Sequence, residues 1–213
     1  MLKYVFFDLD GTLTDPAEGI TGSVLYALDK FGIEEKKENL LKFIGPPLLD
    51  SFRDFYGFDE QKCWKAVEYY RERFGKIGLF ENEVYCGIID VLEALKKKGL
   101  HLLVATSKPT FYSKQILDKF GLSPYFEYVS GSDMNEKNSN KATIIKAALD
   151  YCKALPEEVL MVGDRFYDIV GAKENGIKSA GVLYGYGSYA ELSEAGADYI
   201  FETVDDLMQI IGL

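Results

Sequence analysis

The sequence predicts an α/β fold in which an open parallel sheet carries an inserted all-helical segment. Three observations predict it. Short apolar runs rich in β-branched and aromatic residues recur along the chain, each followed by a longer stretch of helical periodicity, as parallel strands joined by crossover helices require. Between about Pro16 and Asn82 the strand-like runs disappear and helical segments take over. Finally, 213 residues with 47% hydrophobic and 27% charged side chains suffice for a substantial core and have the balance of a globular protein. The core is then discontinuous, residues 1–15 and 84–213, and the helical insert is residues 16–83.

Taken in order, the first strand is residues 4–7, after which Asp8 and Asp10 interrupt the apolar run. The insert reads as helices over 19–31, 48–56 and 60–74, punctuated by Gly32, Gly45-Pro46-Pro47 and Gly57. Further strands read at 100–105, 126–130, 159–162, 179–183 and 199–201. Pro109 falls where a first helical position tolerates proline, and Phe111, Ile116, Leu117 and Phe120 supply an apolar face that stops at Gly121. Ile144, Ile145, Ala148, Leu149 and Cys152 do the same for a helix capped by Asn138, Ser139 or Asn140, and another helix is expected to begin near Ile169.

Charge and composition exclude several function classes. The formal charge of −10 repels phosphate backbones and anionic membranes, so neither nucleic acid nor a membrane is an expected partner. Cys63, Cys86 and Cys152 are odd in number, widely spaced and not in CxxC form, which reads as thiols in a reducing compartment. The early carboxylates cut the N-terminal apolar run too short for a signal peptide, and a cytoplasmic location is expected. With His101 as the single histidine, acid/base work and metal ligation fall to carboxylates.

In open parallel sheets ligands bind beyond the carboxyl ends of the strands. There the first strand runs into Asp8-Leu9-Asp10-Gly11-Thr12, the strand at 100–105 into Thr106-Ser107-Lys108, and the strand at 159–162 into Gly163-Asp164, with Asp168 following. Asp8, Asp10 and Asp164 gathered at one edge repel one another unless a cation offsets them, and oxygen-only ligands favour magnesium over zinc. Lys141, at a helix start where the dipole disfavours a cation, makes sense beside an anion, and Lys108 repeats the arrangement. The residues alone leave plainer alternatives open: Asp164 and Asp168 as helix caps, Thr106 and Ser107 as an N-cap pair, and Lys141 as a solvated lysine whose removal leaves the fold nearly intact.

Asp8-Leu9-Asp10-Gly11-Thr12-Leu13-Thr14-Asp15, Thr106, Lys141 and Gly163-Asp164-Arg165 through Asp168 are similar, in this order, to the four motifs of the haloacid dehalogenase superfamily. The chain resembles its phosphoglycolate phosphatase and 5'-nucleotidase-like branch, in residues 15–20, 43–48, 105–109 and Tyr184-Gly185-Tyr186-Gly187-Ser188 as well. Tyr167 departs from it, standing where such relatives often carry His. The resemblance implies a Rossmann-like core with a small helical cap, and a Mg2+-dependent phosphatase acting on a small phosphorylated metabolite through an aspartyl-phosphate. It implies Asp8 as nucleophile and Asp10 as acid and base, with Mg2+ held by Asp8, the backbone carbonyl of Asp10 and Asp164. Thr106, Ser107 and Lys141 then bind phosphate, Asp168 supports the site from outside the ligands, and Gly45, Pro46, Arg53, Arg71 and Lys108 are candidates for selectivity. A sugar phosphomutase on the same scaffold and a receiver-type phospho-acceptor domain are the alternatives. The second aspartate of the first motif argues against the dehalogenase branch, and the length and helical insert argue against a receiver.

Overall fold

A computed structural model describes residues 1–135 and 139–213; Asn138, one of the three cap candidates, lies outside the described residues. The chain divides into two compact units, Met1–Asp15 with Val84–Leu213, and Pro16–Glu83. The first is built on a parallel sheet of β1 (Tyr4–Phe7), β2 (His101–Pro109), β3 (Tyr128–Ser132), β4 (Val159–Gly163), β5 (Lys178–Val182) and β6 (Tyr199–Phe201). Its strand order is β3-β2-β1-β4-β5-β6, so β1 sits between β2 and β4. Those three strands are the ones that end in the sequence-predicted site residues, and the order therefore makes them neighbours. The predicted α/β class holds.

One face of the sheet shows how sequence positions the site. Phe6 of β1, Leu103 and Ala105 of β2, and Val159 and Met161 of β4 alternate onto this face. They pack against Ile144, Ile145, Ala148 and Leu149 of the helix Lys141–Cys152. That helix starts where the Asn140 side chain accepts from the Ala142 N–H at 2.8 Å, an N-cap that leaves Lys141 as the first helical residue. With the apolar stripe docked on the sheet one turn later, Lys141 is driven under the carboxyl ends of the strands and is buried. Helix Phe166–Glu174 packs beside it through Ala172.

Two local expectations are corrected. Pro109 is not helical: β2 runs on to it with ψ 132°, and the following helix spans Thr110–Lys119. A residue before proline is pushed to extended backbone, so Lys108 prolongs the strand rather than starting the helix. The helix expected near Ile169 begins three residues sooner, at Phe166, because Asp168 caps it from inside by accepting the Arg165 N–H at 3.1 Å. The α/β unit also contains helices Ile88–Lys97 and Tyr189–Ala195.

The second unit is helical, with Ala17–Asp29, Leu48–Tyr56 and Glu60–Phe74 as its α-helices. Gly57 ends the second of these in the left-handed region at φ 65°, and Asp59 caps the third by accepting from the Lys62 N–H. Arg73 forks onto Glu81 at 2.8 and 3.0 Å. Phe43, Phe52 and Phe58 form an aromatic centre with Phe31 at its side. Among the described residues of the chain, no helix is long and apolar enough to cross a membrane.

Truncating the seat of the Lys141 helix tests this positioning. Ile145→Ala, at a fully buried site, should cost about 2–5 kcal/mol, read as a lower urea midpoint at unchanged slope.

Candidate active site

The first site element is the turn that follows β1. Asp8 N–H donates to Val162 O at 2.9 Å, extending the ladder one residue beyond the strand, and the chain then folds back as Leu13 and Thr14 N–H both donate to Leu9 O. Leu9 is fully buried, while Asp8 and Asp10 flank it as buried acids. The turn needs Gly11 twice over. Its φ is +80°, and a Cβ there would lie 2.2 Å from Asp164 Oδ2.

Two ammonium groups divide the two aspartates. Lys141 Nζ stands 2.9 Å from Asp8 Oδ1 and 2.7 Å from Asp168 Oδ1, and also donates to Ala105 O at 3.2 Å. Asp8 Oδ1 accepts the Leu9 N–H as well, at 2.8 Å. Asp10 Oδ2 instead receives Lys108 Nζ in a close, buried ion pair. Lys108 reaches it because the register of β2 on β3 shifts between Thr106 and Pro109, taking residues 107 and 108 out of the regular ladder and re-aiming their side chains. Thr106 Oγ1 accepts the Lys108 N–H at 3.3 Å, within the same irregularity. Asp164 is fully buried, with Oδ2 on the Tyr186 N–H at 2.8 Å and Oδ1 near the Thr12 hydroxyl at 3.4 Å.

These contacts bring Asp8, Asp10, Thr106, Lys108, Lys141, Asp164 and Asp168 to one edge of the sheet. Ser107 lies there too, half-buried, with its carbonyl accepting the Ser132 hydroxyl at 2.8 Å. Gly45, Pro46, Arg53 and Arg71 belong to the helical unit, where Arg53 is exposed and paired with Asp50 and Asp54 of its own helix, each at 2.8 Å.

Several of the plainer alternatives fail on this geometry. Lys141 is not a solvated lysine, since two carboxylates and a carbonyl hold its head under the sheet edge. Thr106 and Ser107 are strand residues and cap no helix. Asp164 gives its oxygens to Tyr186 and Thr12, whereas Asp168 does cap a helix and binds Lys141 in addition. Among the described residues, the carboxylates that cluster are Asp8, Asp164 and Asp168, each offering an oxygen within 4.8 Å of the others. Asp10, expected to offer a metal its backbone carbonyl, has its carboxylate on Lys108, and Asp168 joins Asp8 and Asp164 in the cluster. Tyr186, Thr12 and Tyr184 were missed as site residues; the signal was the Gly185 and Gly187 spacing, which serves a close approach to Asp164.

The electrostatics leave a deficit. Four buried carboxylates face two buried ammonium groups, so full ionisation leaves 4 − 2 = 2 negative charges beyond those two cations. The Arg165 guanidinium, itself paired with Glu191, acts on Asp164 as well. Burial accordingly pushes the Asp164 carboxyl well above the usual range, with Asp168 and Asp8 adding to it. Burial also raises Asp10 against the pull of Lys108, and raises Asp168 to about 6 against the pull of Lys141. Burial alone would lower the Lys141 ammonium, but Asp168 and Asp8 outweigh it and hold the group charged. Asp10 Oδ1 is buried without a hydrogen-bond partner. An all-oxygen cluster in a site with two surplus negative charges fits a hard divalent cation such as Mg2+.

Residues 5–182 match the family model described as haloacid dehalogenase-like hydrolase. The chain belongs to that family. It is 48% identical over 194 residues to a 5'-nucleotidase of Pseudomonas aeruginosa, covering 90% of this chain and 88% of the relative. It is 33% identical over 220 residues to a phosphoglycolate phosphatase of Aquifex aeolicus, covering 99% and 97%. The crystal structure of a predicted phosphatase from Clostridium acetobutylicum superposes with a TM-score of 0.98 at 50% identity, covering all of both chains. The chain is thus an enzyme, a phosphatase of the haloacid dehalogenase-like family.

Because Lys141 neutralises two buried carboxylates, its loss reaches the fold. Contrary to the expectation for a surface lysine, Lys141→Ala should lower metal-free stability by about 3–5 kcal/mol. Denaturation at pH 5 should show a smaller loss than at pH 8, because protonation relieves the orphaned acids. Equal losses at both values would contradict the charge assignment.

Proposed function

We propose that this phosphatase hydrolyses a small phosphomonoester, such as phosphoglycolate or a nucleoside 5'-monophosphate, through an aspartyl-phosphate on Asp8 and with Mg2+ bound. The observation that carries the reading is the unlike surroundings of two aspartates in one turn: Asp8 on Lys141 within the carboxylate cluster, Asp10 on Lys108. Neighbouring carboxylates in unlike environments suit unlike tasks. The substrate names come from the relatives, one a 5'-nucleotidase and one a phosphoglycolate phosphatase.

Asp8, oriented by Lys141 and the Leu9 N–H, attacks phosphorus; the bond to the leaving oxygen breaks, and Asp10 delivers a proton to that oxygen. Asp10 then takes a proton from the water that hydrolyses the acyl phosphate, which returns both carboxylates to their starting states. Lys141, the Thr106 hydroxyl and the Ser107 amide stabilise charge on the transferring oxygens. Asp8, Asp164 and the backbone carbonyl of Asp10 would hold Mg2+, with Asp168 steadying Lys141 beside them. When bound, the ion supplies the positive charge that lets a carboxylate approach a phosphate dianion. In this reading residues 16–83 serve as the cap, and selectivity among leaving groups is assigned to Gly45, Pro46, Arg53, Arg71 and Lys108. The substrate is a small metabolite of the cytoplasm.

Phosphate release across phosphoglycolate, nucleoside monophosphates and sugar phosphates tests the substrate class, and EDTA should abolish it reversibly. Asp8→Asn should eliminate turnover. Asp10→Asn should slow it by about 10²–10⁴-fold and, with an aryl phosphate whose leaving group needs no proton, accumulate a hydroxylamine-labile phosphoryl group on Asp8. A label on any other residue, or substantial turnover by Asp8→Asn, would refute the mechanism.

A further inference from the structure

Residues 184–187 follow β5 and are not consumed by the chemistry above, yet they lie directly on Asp164. The Tyr186 N–H donates to Asp164 Oδ2 at 2.8 Å. A Cβ at Gly185 would fall 2.3 Å from Gly11 O and 2.4 Å from Asp164 Cβ, and one at Gly187 would fall 1.9 Å from Asp164 O. Only glycine permits this approach, so Gly185 and Gly187 are packing requirements of Asp164, its backbone included. The two phenols then anchor the loop. Tyr184 Oη donates to Thr12 O at 2.9 Å, and Tyr186 Oη donates to Asp15 Oδ1. Tyr85 packs edge-on against Tyr184, with ring centroids 5.0 Å apart. Both anchors lie in the segment that also carries Asp8 and Asp10.

We propose that this loop is a positioning device for the metal site, in which the Tyr184 and Tyr186 hydroxyls act as positioning residues that set how tightly Mg2+ is held. The inference rests on the magnesium reading of the preceding subsection. The carboxylates come from separate strands, so their mutual spacing is no better fixed than the contacts between the strand-end loops. The phenols are among those contacts: they tie the loop that grips Asp164 to the turn that presents Asp8. Mg2+ demands near-ideal octahedral geometry, so slack between these loops acts on ion affinity before it acts on any other step. Partners that orient a metal ligand are typically worth 10–100-fold in affinity. Neither phenol is assigned a contact with the transferring phosphoryl group.

The test is Mg2+ binding by the full-length protein, by calorimetric titration, for wild type, Tyr184→Phe, Tyr186→Phe and the exposed control Tyr189→Phe. The expected result is a Kd for Mg2+ raised about tenfold or more in both loop variants and unchanged in the control. The Mg2+ concentration for half-maximal activity should rise in parallel, while kcat at saturating Mg2+ stays near that of wild type. Asp15→Asn, which removes the charge from the Tyr186 acceptor, provides a third variant should either phenylalanine substitution fail to fold. Folded variants that bind Mg2+ within twofold of wild type, or that lose only thermal stability, would overturn the inference and leave the magnesium reading standing. Wild-type protein that binds no Mg2+ would overturn both.

Discussion

Four carboxylates buried at the carboxyl ends of adjacent strands, held by two ammonium groups, are the constraint on which the rest of this structure depends. Buried charges of one sign persist only where opposite charge and hydrogen bonds compensate them. The compensation here comes from different parts of the chain: Lys141 from a helix start, Lys108 from an irregular strand end, and backbone N–H groups from Leu9, Arg165 and Tyr186. Each contributor requires a particular local structure. The sheet face must seat Ile144 and Ile145 so that Lys141 arrives under the edge, and Gly11, Gly185 and Gly187 must be glycine so that backbone can close on Asp164. The compensation remains two charges short, and that shortfall connects the fold to an ion and to an anionic substrate.

How much of this was legible in the sequence follows from the range of the forces involved. The strands and the residues at their ends were readable because alternation and apolar runs are local, and Asp8, Asp10, Thr106 and Asp164 lie within a few residues of the runs that place them. Partner choice was not readable. Nothing near Lys141 in sequence says that it is buried, since its depth is set by an apolar stripe docking on three strands. Likewise, the register shift that turns Lys108 toward Asp10 depends on how β2 pairs with β3, a property of two segments about 20 residues apart. The place of Asp168 beside Asp8 and Asp164 has the same origin.

The loop at 184–187 illustrates an intermediate case. Its two glycines were visible, and glycine often marks a close backbone approach, but the group approached lies about 20 residues upstream on a neighbouring strand. The tyrosines that precede each of them look like ordinary aromatic packing until the hydroxyl partners, Thr12 and Asp15, are known. Burial holds both phenols protonated, with pKa values above the ordinary tyrosine range, so each stays a donor. A motif can thus be conspicuous in sequence while its task is defined only by the segment it meets.

The charge deficit is the central claim, and the pH dependence of Mg2+ stabilisation tests it most directly. Asp10, Asp164 and Asp168 have raised pKa values in the folded, metal-free protein, Asp168 at about 6. The folded state therefore binds protons more tightly than the unfolded chain, and their contribution to stability is full below about pH 4 and lost as pH rises through the folded values. Melting temperature measured with EDTA and with saturating Mg2+ from pH 5 to pH 8 should show metal-free stability falling relative to the Mg2+-bound form, so that the shift induced by Mg2+ grows with pH. A Mg2+-induced shift that is absent, or constant across this range, would contradict the account.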